Sequence, residues 1–392
     1  MKRKSGKYVV SSSTGEEVRA FVPHRLPPGA PVLDLDDDAQ RLLREANENL
    51  ARLNLAGDMV PSLDWFIYAF VRKEAVLSSQ IEGTQATLVD LFRYEAEEPS
   101  RQEASPDVLE VCNYLSALSY ARRELRRKRG LPLSMRLLNG AHKRLMKGPR
   151  GRSKQPGAVR RSQNWIGGTR PGNAVYVPPP PDLLGGLLSD LEKYIHGKNR
   201  LPALVRAGLI HAQFETLHPY LDGNGRIGRL LVALLLEHGG LLSSPLLYLS
   251  IHLKRHREEY YRLLDLVRTQ GDWEAWTKFF LEAVAVTAAE AGGTARQLFD
   301  LVNADRERLL KLKAATVPSI RVFEMLPRRP MMTIGNITRT LKVTKPTAAK
   351  VVDVLTRSKI LVEHSGRKRD RVFAYARYLD ILSMGTDLAV ER

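Results

Sequence analysis

The sequence of 392 residues contains a single cysteine, Cys112, and no long run of apolar residues. One thiol cannot form an intrachain disulfide, which excludes the disulfide-rich secreted scaffolds. A membrane-spanning helix needs roughly 18 or more consecutive apolar residues, and the longest such stretch, from Leu230 to Leu236, is far too short. The basic residues at the N-terminus are not followed by an apolar signal region. These absences predict a cytoplasmic protein with no membrane partner.

Acidic residues are also in the minority. Asp and Glu number 43 against 61 Lys and Arg, which gives a formal net charge of +18 at pH 7. A surplus of this size indicates a polyanionic partner. A nucleotide substrate and a nucleic acid are both polyanions, so the charge by itself favours neither. The chain length predicts two or three domains, preceded by an irregular Ser-, Gly- and Pro-rich arm over residues 1 to about 35.

The most informative stretch is residues 218–229, with the sequence HPYLDGNGRIGR. Apolar residues at helical spacing precede it from Pro202 to Leu217, and an apolar run follows it from Leu230 to Glu237. The stretch is therefore predicted to be a loop between two helices. Gly223 and Gly225 let the backbone approach a ligand closely. The first N–H groups of the following helix have no partner within that helix and suit an anion.

The side chains of this loop suit a phosphate group. Arg226 and Arg229 lie three residues apart, on roughly one helix face, and guanidinium groups bind phosphate oxygens. Asp222 offers a carboxylate to Mg²⁺, and His218 belongs to the residue type that titrates near neutral pH. Taken singly, these residues are equally typical of a plain helix–loop–helix turn. Their order over twelve residues favours a phosphate cradle with a metal ligand and a base.

The same twelve residues resemble the signature of the Fic family, His-Pro-Phe-x-(Asp/Glu)-Gly-Asn-Gly-Arg-x-x-Arg. Only Tyr220 departs from the pattern, at a position where the family usually has Phe. The resemblance implies a mostly α-helical protein with a helical region at residues 1–105 and a Fic core at residues 106–313. It also implies a protein adenylyltransferase, which transfers AMP from ATP to a Ser, Thr or Tyr hydroxyl of a target protein.

The resemblance assigns a role to each residue of the signature. His218 is the general base, and Asp222 is the ligand of Mg²⁺. Arg229 holds the γ-phosphate of ATP. The other phosphate-binding residues of the loop are Gly223, Asn224, Gly225 and Arg226.

Residues 157–181 lack helical periodicity. Apolar and aromatic residues around Trp165 and around Tyr176 predict two short strands joined as a hairpin. On the residues alone this is a surface hairpin. The resemblance makes it the Fic flap, which covers the active site and binds a target segment by strand addition to its edge. The flap residues expected beside the phosphates are Ile166, Gly167 and Gly168.

The segment from Ser78 to Gly83 resembles the inhibitory helix of many Fic proteins, (Ser/Thr)-x-x-x-Glu-(Gly/Asn). Ser78, Glu82 and Gly83 occupy its fixed positions. By this resemblance Glu82 binds Arg229 in place of the γ-phosphate, because a carboxylate and a phosphate compete for the same guanidinium. On the residues alone, the segment is the end of a helix with a solvated Glu82.

Residues 314–392 predict three short helices followed by a basic hairpin, which resembles a winged helix-turn-helix domain. From Thr316 onward there are 15 Lys and Arg against 7 Asp and Glu. This surplus favours DNA binding, with Lys345, Thr347 and Lys350 at the groove. The alternative is a winged helix that contacts protein, including a second copy of the chain in a homodimer.

Two alternatives to protein adenylylation stay open at this point. One is a DNA-binding transcriptional regulator whose Fic core senses a nucleotide. The other is a Fic enzyme that carries out a different phosphoryl or nucleotidyl transfer. Self-modification of the chain is a further option beside modification of a separate target protein.

Overall fold

The computed structural model describes residues 3–58, 63–98, 103–148 and 150–388. These residues are mostly α-helical and include two small antiparallel sheets, which confirms the predicted fold class at this level. No helix in the described ranges is both long enough and apolar enough to cross a bilayer. The chain forms two compact units. One comprises Met1–Ala51, Asn113–Pro245 and His252–Ala288, and the other Arg52–Cys112, Leu246–Ile251 and Ala289–Arg392.

The elements have the following bounds. The helices are α1 (Asp37–Asp58), α2 (Leu63–Ile81), α3 (Leu88–Glu97), α4 (Pro106–Arg126), α5 (Met135–Leu145), α6 (Pro181–His196), α7 (Ala203–Leu217), α8 (Asn224–His238), α9 (Ser250–Arg255), α10 (Arg257–Gln270), α11 (Trp273–Leu310), α12 (Val317–Met325), α13 (Ile334–Leu341), α14 (Lys345–Arg357) and α15 (Ala376–Ser383). The strands are β1 (Gly6–Ser13), β2 (Glu16–Pro23), β3 (Met331–Thr333), β4 (Val362–Glu363) and β5 (Val372–Ala374).

The prediction of an irregular N-terminal arm is wrong. Strands β1 and β2 form an antiparallel hairpin whose register runs from Gly6 opposite Pro23 to Ser13 opposite Glu16. Its Ser-rich composition hides the alternation of a strand. One face of the hairpin is buried against other parts of the same unit, and such packing outweighs the weak strand preference of serine.

The first unit is built around two buried helices, α7 and α8. Every residue of α7 from Leu204 to Leu217 is buried except Arg206, so this helix is enclosed on nearly all sides. The two helices lie close together at Gly228, where an added Cβ atom would lie 2.2 Å from Glu215 Oε1. This close packing fixes the segment that joins them.

The second unit contains α2 and α3, helices α12 to α15, and a three-stranded sheet of order β3-β5-β4. Strand β3 is only three residues long and is not predicted from the sequence. Helix α3 packs against it. The buried carboxylate of Asp305, near the end of α11, accepts a hydrogen bond from the Tyr375 hydroxyl at 2.8 Å. This bond connects α11 to the segment that follows the sheet.

Candidate active site

The loop between α7 and α8 has a fixed backbone. His218 ends α7 in the left-handed conformation (φ +47°), and its N–H donates to the Phe214 carbonyl at 3.0 Å. Gly223 precedes α8 with φ +78°. Helix α8 begins at Asn224 rather than at the predicted Leu230. Consequently the residues from Asn224 to Arg229 all lie in its first two turns.

Gly223 is required at its position for two reasons. Its φ is in the left-handed region that favours glycine. An added Cβ atom would also lie 3.1 Å from Met146 Sδ and 3.2 Å from Leu145 Cδ2. Because Gly223 has no side chain, no side chain caps the start of α8. The backbone N–H groups of this first turn are suited to an anionic ligand.

Asn224 holds the loop closed through its side chain. Its Nδ2 donates to the Tyr220 carbonyl at 2.8 Å, and its Oδ1 accepts from the Tyr220 N–H at 2.8 Å. The Tyr220 ring is fully buried, and its hydroxyl donates to Asn139 Oδ1 at 2.8 Å. This bond satisfies the polar group that a tyrosine adds relative to phenylalanine at this signature position.

His142, on α5, packs against the loop and bonds to its backbone. Its ring stacks on Tyr220, with centroids 3.8 Å apart and an interplanar angle of 8°. Its Nδ1 accepts from the Gly157 N–H at 2.9 Å, so Nε2 carries the proton and donates to the Asp222 carbonyl at 3.0 Å. Burial lowers the pKa of His142 to about 4. The ring is therefore neutral near pH 7 and acts as a structural clamp.

Arg160 ties the loop to the base of the flap. Its Nε donates to the His218 carbonyl at 3.0 Å, and its backbone N–H donates to the Pro219 carbonyl at 2.9 Å. Its Nη1 and Nη2 atoms donate to the carbonyls of Ser162 at 3.2 Å and Pro179 at 2.6 Å. Burial lowers the pKa of the Arg160 guanidinium to about 10, so it remains charged near pH 7.

Positive charge is concentrated at the start of α8. Arg226 and Arg229 are 6 % and 2 % exposed, and both lie where the helix dipole is also positive. Arg226 Nη2 lies 3.3 Å from Asp222 Oδ1, and the Asp222 side chain is 42 % exposed. Burial and the nearby Arg229 guanidinium lower the pKa of His211 to about 3, so no further positive charge comes from that ring.

The flap is a short hairpin, as predicted, although its pairing is reduced to one antiparallel bridge. The Ile166 N–H donates to the Tyr176 carbonyl at 2.8 Å, and the Tyr176 N–H donates back at 3.1 Å. Gly167 and Gly168 turn the chain with φ of +67° and +72°. The Asn164 side chain donates to the Tyr220 carbonyl at 3.2 Å, which joins the flap to the signature loop.

Comparison with protein families decides the assignment. Residues 40–123 match the model described as Fic/DOC family N-terminal, and residues 132–236 match the Fic/DOC family model. The chain belongs to the Fic family. The second match covers the flap, α7, the whole signature and α8 as far as Leu236, so the resemblance stated from the sequence is confirmed.

Two curated relatives are named as adenylyltransferases. A probable protein adenylyltransferase of Aquifex aeolicus is 25 % identical over 202 residues, which are 50 % of this chain and 55 % of that protein. The protein adenylyltransferase Fic of Drosophila grimshawi is 32 % identical over 133 residues, which are 33 % of this chain and 25 % of that protein. The Fic chain described here thus matches about half of the first relative and a quarter of the second.

Solved structures share the fold. A Fic family protein from Desulfovibrio desulfuricans superimposes with a TM-score of 0.56 at 21 % identity, covering 87 % of this chain and 97 % of that one. Fic-1 from C. elegans superimposes with a TM-score of 0.51 at 20 % identity, covering 66 % of this chain and 73 % of that one. Both agree with the Fic fold assignment.

The predicted site residues of this Fic protein fall into two groups. The signature residues 218–229 and the flap residues 166–168 lie in the first unit. The motif from Ser78 to Gly83 lies in the second unit, at the end of α2. There Ser78 is buried, Glu82 is exposed, and Gly83 has φ +95°.

Proposed function

We propose that this protein is a protein adenylyltransferase that transfers AMP from ATP to a hydroxyl group of a target protein. The observation that carries the proposal is the signature loop itself. It joins a histidine, His218, to the uncapped start of α8 and to two buried arginines. A base beside a phosphate-binding helix terminus is the arrangement that nucleotidyl transfer needs. The names of the curated relatives support the same activity.

The proposed reaction proceeds in line at the α-phosphate of ATP. His218 removes the proton of the target hydroxyl, and the hydroxyl oxygen forms a bond to the α-phosphorus. The bond from that phosphorus to the bridging oxygen breaks, and pyrophosphate leaves. The N–H groups of Gly223 and Gly225, together with Arg226, stabilise the developing negative charge. Arg229 holds the γ-phosphate.

Asp222 is the residue that suits Mg²⁺ in this site. Within the described residues, no three His, Cys, Asp or Glu side chains group together as a metal site. Magnesium in nucleotide sites is commonly held by one or two carboxylates and by the substrate phosphates, so a single exposed carboxylate fits. When bound, Mg²⁺ neutralises phosphate charge. The protein's own contribution is the position of Asp222, whose carbonyl accepts from His142.

The nucleotide label tests this function directly. The purified protein is incubated with a cell lysate and ATP labelled at either the α- or the γ-phosphate. We expect protein-bound label from α-labelled ATP only. Label from the γ-position instead means phosphoryl transfer, and the alternative Fic chemistry then replaces AMP transfer. No label from either nucleotide, with wild type and with Glu82→Gly alike, favours a nucleotide-sensing core without transfer activity.

We further propose that Glu82 inhibits the reaction by taking the place of the γ-phosphate at Arg229. The support is the motif, with Ser78 buried in α2 and Glu82 in the turn that ends it. Gly83 has a φ of +95°, a value that favours glycine. A carboxylate bound at Arg229 removes the cation that the γ-phosphate needs, so ATP binds with its α-phosphate out of line.

A target segment is proposed to add as a strand to the edge of the flap, around Ile166. Main-chain hydrogen bonds along such an edge position an extended peptide and read little of its sequence. A second copy of the chain presents hydroxyl groups in the same way, so self-modification follows the same route.

A second candidate function is DNA binding by the C-terminal region. We propose that α12 to α14 with β3 to β5 form a winged helix. The supporting observation is the exposed basic surface of α14 and of the β4–β5 connection, which carries Lys345, Lys350, Lys368 and Arg369. Two other arginines of this region are already paired, Arg367 with Glu97 at 3.0 Å and Arg339 with Glu98 at 2.8 Å.

Salt dependence tests the DNA proposal. Binding of the full chain to a fluorescent DNA duplex is measured by anisotropy at several salt concentrations. Log affinity falls with log salt. If Lys350 contacts a phosphate, Lys350→Gln makes this negative slope shallower by about 1. Lys313→Gln, which changes an exposed lysine before α12, should leave the slope unchanged. Wild-type protein that binds no duplex at low salt rejects DNA as the partner and favours a protein contact.

A further inference from the structure

The N-terminal hairpin covers one face of the flap. Val18 and Ala20 of β2 pack against Val177, and Val9 of β1 extends this apolar cluster toward Trp165 and Ala174. The Phe21 N–H donates to the Val177 carbonyl at 2.9 Å. Through this bond β2 lies at the outer edge of the second flap strand, which contains Tyr176 and Val177. The flap therefore contacts the hairpin through both backbone and side chains.

Glu16, the first residue of β2, holds the tip of the flap. Its Oε2 atom accepts from the Gly172 N–H at 2.9 Å and lies 2.8 Å from Arg170 Nη1. An added Cβ atom at Gly172 would lie 2.4 Å from the same oxygen. Glu17, the next residue, is exposed and lies on the other face of the strand. The carboxylate at position 16 is therefore specifically placed against the flap tip.

The base of the hairpin is fixed to the helical part of the same unit. Arg3 donates to both carboxylate oxygens of Glu274 at 2.7 and 2.8 Å, and also to the Gly271 carbonyl at 3.0 Å. The Trp273 indole N–H donates to Ser5 Oγ at 2.9 Å. Close to this anchor, the Ser5 carbonyl accepts from the His24 N–H at 2.7 Å, which closes the hairpin base. The hairpin thus connects the start of α11 to the flap tip.

We propose that this hairpin is a brace that holds the flap in the shape required for target-strand addition, with Glu16 as a positioning residue for the protein substrate. The proposal rests on the proposed function. Because β2 occupies the Val177 side of the flap, a target strand has to add on the opposite side. Backbone groups alternate in direction along a strand. The backbone N–H and C=O groups of Ile166 face Tyr176. Those of its neighbours Trp165 and Gly167 therefore point away from the second flap strand, to the edge where the target strand would add.

Hydrogen exchange tests the brace independently of catalysis. The amides of Ile166 and Tyr176 are followed in the full chain for wild type, Glu16→Ala, Glu16→Gln, Glu17→Ala and Gly172→Ala. We expect about fivefold faster exchange in Glu16→Ala, because the tip loses a charge-assisted hydrogen bond. Glu16→Gln keeps an acceptor for the Gly172 N–H and should recover part of the protection. Glu17→Ala removes the same charge from an exposed site and should match wild type.

Kinetics then separate positioning from general damage. AMP transfer is measured on the lysate protein that wild type labels most strongly. Glu16→Ala should raise the KM for that protein about fivefold, while kcat and the KM for ATP stay near wild type. Gly172→Ala, which displaces the Glu16 carboxylate from the other side, should behave alike.

Unchanged exchange in both Glu16→Ala and Gly172→Ala overturns the brace. So does a loss of kcat with an unchanged KM for the acceptor protein. If neither wild type nor Glu82→Gly labels a protein, the adenylyltransferase proposal fails, and the exchange measurement still decides whether the hairpin holds the flap.

Discussion

Replacing His218 with alanine is expected to lower AMP transfer by on the order of 10²-fold or more, because His218 is the proposed base for the hydroxyl proton and the Asp222 carboxylate is assigned to Mg²⁺. A neutral Ser, Thr or Tyr hydroxyl is a poor nucleophile near pH 7. ATP binding should persist, since the phosphate contacts come from the start of α8 and from Arg226 and Arg229. Transfer is measured with α-labelled ATP, and ATP binding by calorimetry.

The left-handed backbone of His218 requires a second variant. Alanine is disfavoured at a φ of +47°, whereas asparagine tolerates that region and is not a base. His218→Asn should therefore lose activity as fully as His218→Ala while keeping wild-type stability. His238→Ala, at the exposed end of α8, controls for the loss of an imidazole. Wild-type transfer by a folded His218→Asn protein is incompatible with the mechanism.

Replacing Glu82 with glycine is expected to raise AMP transfer, including self-modification, by at least about tenfold, or ~1.4 kcal/mol of barrier. The reason is alignment. With the carboxylate gone, Arg229 is available to the γ-phosphate, and the α-phosphate can lie in line with the incoming hydroxyl. Glu82→Gln, which keeps the size and removes the charge, should act in the same direction.

Arg229 provides the decisive comparison. Arg229→Ala should lower transfer, and adding Glu82→Gly should not restore it, because the cation for which both groups compete is gone. Gln85→Gly, an exposed residue in the same turn region, controls for added backbone flexibility. Label incorporation is compared for all variants at equal ATP concentration. If Glu82→Gly is no faster than wild type, Glu82 is an ordinary carboxylate at the end of a helix.

The signature loop was predictable because its residues are contiguous. Both flanking helices show in the apolar pattern, and Gly223 and Gly225 mark the loop between them. The start of α8 was misplaced by six residues, since the polar residues from Asn224 to Arg229 obscure the helical pattern. The partner of the Tyr220 hydroxyl lies 81 residues away at Asn139, at a separation where no local pattern applies.

The supports of the site were not predictable for the same reason. His142 contacts the loop across 80 residues and Arg160 across 58, and neither belongs to a recognisable motif of its own. Each looks like an ordinary polar residue in the sequence. Burial turns His142 neutral and leaves Arg160 surrounded by carbonyl groups, and burial is set by the fold as a whole. The N-terminal hairpin was missed because its buried face packs against residues distant in the sequence, among them Val177 of the flap and helix α7.

The contacts of Arg160 have a consequence for engineering target choice. A flap from another family member has to be inserted without disturbing the carbonyls that this guanidinium binds at Ser162, Pro179 and His218. Ser162 and Pro179 flank an exchangeable segment, residues 163–178. A graft confined to residues 163–178 that keeps an asparagine at position 164 preserves the Arg160 bonds and the Asn164 bond to the Tyr220 carbonyl, whereas a longer graft alters the geometry of the reaction along with the choice of substrate.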